Sequence, residues 1–277
     1  MLLLSLITAA SAGGWTQPQG DVYAKAWVRS LVGANAFLAD GAIEELPDGY
    51  VDESLNLYAE GGLTDKWTLL GFATPVGYAS ATESTVYVGN IALGVRRALL
   101  TGAFNLAAEV RVGGAPGVGE TSVADGTTDA GIAYVMIPTV RTFRTDAELQ
   151  AGVGFGQGRG WFQASAGAAW HSRSTIDPAI LGQLKGGWTF KRGLQPSLQI
   201  DVWMPVGAVD AVNVLGAGQT RYVGITPELS WWWSEHWSVN ASFGSALMAQ
   251  SNAAAPAVTA GVAWRGHPRA EAGGEAP

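Results

Sequence analysis

Cysteine is absent from this 277-residue chain, which removes disulfide frameworks and thiolate chemistry together. Histidine is nearly absent. His171, His236 and His267 are the only three, too few for a metal centre built on several imidazoles, and no metal or other cofactor is expected. Charge is scarce as well: Asp, Glu, Lys and Arg make up 14% of the residues against about 25% in a typical soluble domain, so a water-facing shell is under-supplied. What charge there is sums to −7, which argues against a nucleic-acid partner. Beyond the N-terminus no run approaches the roughly 18 uninterrupted apolar residues of a membrane-crossing helix. A chain with too little charge for water and no spanning helix must close its backbone hydrogen bonds between strands.

What the chain has instead is alternation. In Glu228-Leu-Ser-Trp-Trp-Trp-Ser-Glu-His-Trp-Ser-Val-Asn-Ala-Ser-Phe-Gly244, Leu229, Trp231 and Trp233 precede a short polar break and Trp237, Val239, Ala241 and Phe243 follow it at every second position. The unit recurs as Leu63-Thr-Asp-Lys-Trp-Thr-Leu69 and, more loosely, around Lys191-Arg-Gly193. A short charged turn, a tryptophan beside it and an alternating strand are the grammar of a transmembrane β-barrel, which implies outer-membrane lipid as the surrounding medium.

Twelve such strands can be placed between residues 22 and 265, the fold class being all-β: an antiparallel transmembrane β-barrel with short periplasmic turns and long outer loops. The predicted strands are 22–29, a pair flanking the 64–66 turn, 85–96, 103–112, 146–156, 161–171, 180–190, 197–204, the two arms of the 228–244 hairpin, and 257–265. Pro75 is taken to end the third strand near a loop. Residues 30–50, acidic and without Lys or Arg, 113–145 and 206–219 are expected as the long outer loops. Residues 129–140 read ambiguously, since Ile132 to Ile137 is strand-like but Pro138 follows. Counting them as a span gives thirteen strands and puts the 191–193 turn on the wrong side, whereas a single-chain barrel with both termini in the periplasm needs an even number. The glycines at 152, 154, 156, 158 and 160 lack the following helix that a phosphate-cradling loop needs, and read as close packing and a tight turn.

Residues 1–12 carry a short apolar core ending in Ala10-Ser-Ala12, the small-x-small pattern of an export-signal cleavage site, without a Lys or Arg after Met1. The barrel is then expected over 13–265 and a disordered polar tail over 266–277.

Parity along these strands turns ten charged residues inward: Lys25, Arg29, Glu60, Arg96, Glu109, Arg111, Glu148, Lys185, Asp201 and Glu228. Charges in a narrow lumen need partners or water. They either line a water-filled path and set its selectivity, or pair across the lumen and staple a filled barrel; a twelve-stranded barrel lies between side-chain-filled eights and open sixteens. Trp67, Trp161, Trp188, Trp231, Trp233, Trp237 and Trp264 fall near the periplasmic strand ends and are expected to form an interfacial girdle. Catalysis is not expected. Ser172 is adjacent to His171 and so points to the other face, and no orienting acid accompanies them.

Three stretches add a resemblance. Gly14-Trp-Thr-Gln-Pro-Gln-Gly20 followed by Tyr23-Ala-Lys25, Gly62-Leu-Thr-Asp-Lys-Trp67, and Thr145-Asp-Ala-Glu148 before alternating strands are similar to a bacterial outer-membrane β-barrel family related to phenol meta-pathway transport proteins. The resemblance covers most of the chain after residue 12 and implies a Gram-negative outer-membrane location and uptake of small, hydrophobic molecules. It carries over no binding residue. Two readings therefore stand: a monomeric, porin-like channel or transporter for a small solute, or a plugged structural or adhesive barrel that binds a partner through its acidic outer loops.

Overall fold

The computed structural model describes residues 14–213 and 217–267; the predicted export signal and residues 268–277 of the predicted tail lie outside them. Among the described residues sixteen strands are formed in chain order: β1 (Val22–Phe37), β2 (Ile43–Thr64), β3 (Trp67–Ser80), β4 (Ser84–Tyr87), β5 (Ile91–Leu100) and β6 (Phe104–Ala115). Then follow β7 (Ala124–Thr127), β8 (Ala133–Met136), β9 (Thr142–Phe155), β10 (Gly160–His171), β11 (Ala179–Trp188) and β12 (Leu194–Pro205). The last four are β13 (Arg221–Trp232), β14 (Trp237–Gln250), β15 (Asn252–Ala253) and β16 (Ala257–Gly266). Twelve of them pair antiparallel with their sequence neighbours, and β1 pairs with both β2 and β16, so the sheet closes into a barrel.

The faces sort opposite to those of a soluble protein. Val28, Leu93, Leu198, Leu229 and Val262 point outward and exposed, while Arg96, Glu60 and Thr68 are among the largest fully buried side chains. Neighbouring strands satisfy each other's backbone groups all the way round, so no edge is left in the barrel wall.

Several expectations are corrected. Residues 30–50 are not an open loop: β1 and β2 stay paired through Val32↔Val51 to Phe37↔Ile43, with a bulge between Gly33 and Asn35. The reason is apolar. Ala36, Leu38, Leu46 and Tyr50 bury against Ala79, Tyr87, Val123, Tyr134 and Met136 in a small core at the long-loop end. Pro75 does not end the third strand; β3 continues to Ser80. Its missing N–H is tolerated because the facing chain bulges there. Thr74 donates to the Asn90 carbonyl and receives the Gly89 N–H, which breaks the expected 85–96 strand into β4 and β5. The bulge also reverses the phase, so Tyr87 is buried whereas Ile91 and Leu93 face out. Gly266, expected in the tail, is the last residue of β16 and pairs with Val22.

Residues 129–140 do not join the barrel. β7 and β8 form a separate two-stranded sheet that covers the long-loop end, tied to the 206–219 loop by the Val135 to Asn213 bridge. Arg173 pairs with Glu120 at 2.6 Å across the loops, and that contact, followed by the Arg141 N–H, holds the Glu120 carboxyl below its usual value.

Candidate functional site

The barrel interior carries three groups of charge. Glu228 receives Lys25 at 2.8 Å and Lys185 at 3.5 Å. Arg29 pairs with Asp52 at 2.7 Å, and Asp52 also accepts the Tyr87 hydroxyl at 2.7 Å. The third group is continuous and draws on four strands, β2, β5, β6 and β9: Arg96 lies 3.1 Å from Glu60 and 2.8 Å from Glu109, Arg111 reaches Glu109 at 3.3 Å and Asp146 at 3.5 Å and contacts Glu148, and Arg144 closes on Asp146 at 2.6 Å. Asp201 stands apart. Its carboxylate accepts from the Gln183 and Gln199 amides at 2.8 to 3.0 Å and has no ion-pair partner among the described residues.

The end of the barrel that carries the short turns is filled from two sides. On one side residues 14–21 run along the inner wall from β9 to the β2–β3 turn. The Trp15 carbonyl accepts from Arg96 at 3.1 Å, the Gln17 amide side chain donates to Glu60 at 2.6 Å, and the Gln17 backbone N–H donates to Thr68 at 2.8 Å. Two glycines make room: a Cβ at Gly152 would lie 2.5 Å from the Trp15 ring, and one at Gly62 would lie 1.9 Å from the Pro18 carbonyl oxygen. Such distances are impossible for any side chain, so of the alternating glycines in β9 Gly152 has a packing role here. On the other side Tyr23, Trp161 and Trp232 crowd round the Lys25, Lys185 and Glu228 cluster, leaving a cavity of about 20 Å³, room for a single water.

Above this double block the lumen opens. A chamber of about 470 Å³ lies between the Arg96 to Arg144 wall and a facing wall of Gln183, Asp201, Trp203 and Tyr222. Through Arg144, Trp203 and Tyr222 it adjoins a vestibule of about 270 Å³ at the long-loop end, beneath Pro138, Thr139 and Gln219.

Of the expected girdle, Trp67, Trp231, Trp233 and Trp237 are exposed on the outer face, and Trp188 and Trp264 are partly exposed on it. Trp161 is a correction: it is 5% exposed and points inward. It shares parity with Gln163, and the absent side chain of its cross-strand partner Gly187 leaves space for the indole. Sequence reasoning missed Asp52, Arg144 and the plugging segment. Asp52 and Arg144 lie just outside the assumed strand ends, in phase with Glu60 and Glu148, so extending each alternation would have found them.

No family model matches the sequence, and no curated protein matches it. Solved structures do resemble the fold. An outer membrane channel from Pseudomonas putida F1 superposes with a TM-score of 0.66 at 14% identity, over 92% of this chain and 99% of that one. NanC porin gives 0.51 at 7% identity, over 86% and 98%. KdgM porin, solved in complex with disordered oligogalacturonate, gives 0.50 at 6% identity, over 87% and 98%. The chain is a closed twelve-stranded antiparallel β-barrel resembling outer-membrane channels and porins.

Proposed function

We propose that this chain is an outer-membrane channel for small solutes, its short turns in the periplasm and its long loops outside. The observation that carries the reading is the inverted barrel: an apolar outer face around a polar lumen that holds a vestibule and a chamber and is blocked at the turn end. The likeness in fold to channels and porins supports it. The resemblance noted in the sequence suggests a hydrophobic solute; the chamber, lined by ionised and amide side chains, favours a polar one.

The direct test is conductance. The purified full-length barrel, identified as folded by heat-modifiable gel mobility, should give stepwise currents in planar bilayers, small because residues 14–21 obstruct the path. A folded barrel that stays silent both intact and after removal of residues 14–20 would overturn the channel. It would leave the second reading, a plugged barrel presenting its loop-end cap to a partner, which the separate apolar core under that cap favours.

Membrane embedding has its own test. Leu93 is 69% exposed and pairs across strands with Gly71, four residues along β3 from the girdle residue Trp67, which puts it near mid-bilayer. Leu93→Arg should cost about 2–4 kcal/mol of stability in lipid vesicles, read by urea unfolding. A face bathed in water would register within about 0.5 kcal/mol.

A further inference from the structure

Four features of the mid-lumen chamber point to one kind of occupant. The first is orphaned amides. Gln163 is 2% exposed and neither its Nε2 nor its Oε1 finds a partner; Gln150, 6% exposed, donates to Glu109 at 2.9 Å but its Oε1 is unpartnered. A buried polar group left unmade is costly, so these amides want a partner that both donates and accepts. An ammonium only donates and a carboxylate only accepts. A hydroxyl does both. The second feature is charge pairing: Arg96, Arg111 and Arg144 on the chamber lining are each held by carboxylates of the same wall, Glu60, Glu109, Asp146 or Glu148, so their charge is already spent within it. The third is Asp201, whose carboxylate is oriented by two neutral glutamine amides and keeps acceptor capacity free. The fourth is the cross-strand pair of Trp203 and Tyr222 beside it, an aromatic surface within a polar wall, with the Arg144 guanidinium over one face of the Trp203 ring at 4.6 Å. The chamber's size, about 470 Å³, is that of a small-molecule site.

Resting on the channel reading, we propose that this chamber is a binding site for an uncharged polyhydroxylated solute, a sugar of one or two rings. Asp201 and the glutamine amides take its hydroxyls, and Trp203 and Tyr222 lie against its apolar ring face. The paired arginines and carboxylates opposite hold the wall, their charge spent on one another.

Maltose is the probe, with lysine and glutamate as charged comparators, each titrated by saturation-transfer NMR against the full-length folded protein in detergent. Maltose should bind and the two ions should not compete. Asp201→Asn and Gln163→Leu, each checked for heat-modifiable mobility, should weaken maltose binding about tenfold, the effect of losing one hydrogen bond to a charged or buried group. No maltose binding by the unaltered protein, stronger binding of either ion, or folded variants that bind as well as it does would overturn the proposal. Bilayer conductance measured in parallel separates this from the channel reading. Conductance without maltose binding sinks the sugar site alone; maltose binding with no conductance either intact or after removal of residues 14–20 keeps the site and sinks the channel.

Discussion

Arg96→Met is expected to destabilise the barrel by about 3–5 kcal/mol, because it removes one partner from a buried ion network and leaves its counter-charges behind. Arg96 is 1% exposed, with Glu60 and Glu109 buried beside it. Glu60 also accepts the Tyr58 hydroxyl, and Glu109 accepts the Gln150 amide at 2.9 Å, so neither carboxylate can turn toward water. Methionine matches much of the arginine's bulk, so the loss is that of its charge and its hydrogen bonds, the one to the Trp15 carbonyl included. Urea unfolding in lipid vesicles measures it. Adding Glu60→Gln and Glu109→Gln to Arg96→Met should recover most of the stability, since a network neutralised as a whole no longer holds unpaired charge. The contrast is Arg29, whose side chain is 32% exposed and whose loss water can offset. A cost below about 1 kcal/mol for Arg96→Met, in the range of an exposed pair, would show that the network is not a structural staple.

The barrel was legible because its outer face is apolar at every second residue. Leu198, Ile200 and Val202 announce β12 as clearly as any helix stripe would, and the even-number rule kept 129–140 out of the wall. What escaped was phase. Extrapolating from Ile91 and Leu93 puts Tyr87 outside, and only the bulge opposite Thr74 and Pro75, invisible in either strand alone, sends it in. Trp161 escaped differently: a tryptophan beside a turn looks the same whether it faces lipid or lumen, and the parity it shares with Gln163 was the available signal. The lumen charges were legible as a set but not as partners. Arg96 meets Glu60 across 36 residues of chain and Lys25 meets Glu228 across 203, distances that no local pattern encodes.

Residues 14–21 show the same limit and yield the other large effect. This stretch has no alternation, and its contacts reach to β2, β3, β5 and β9. It is held in the lumen by two charge-assisted hydrogen bonds, Gln17 to Glu60 and Arg96 to the Trp15 carbonyl, each worth about 1.5–3 kcal/mol. Gln17→Leu removes the first while Arg96 and Tyr58 still satisfy Glu60, so the barrel should stay folded as the segment loosens. By that energy the open population should rise about tenfold to a hundredfold, read as open probability in single-channel records. Gly152→Val should act in the same direction by another route, because its side chain would occupy the space of the Trp15 ring. Unchanged currents in both folded variants would mean that the segment braces the wall without closing the path. A rise in both, with no change in urea stability beyond the lost hydrogen bond, would place the gate on the periplasmic side, beneath the chamber, where a bound solute has to wait for it.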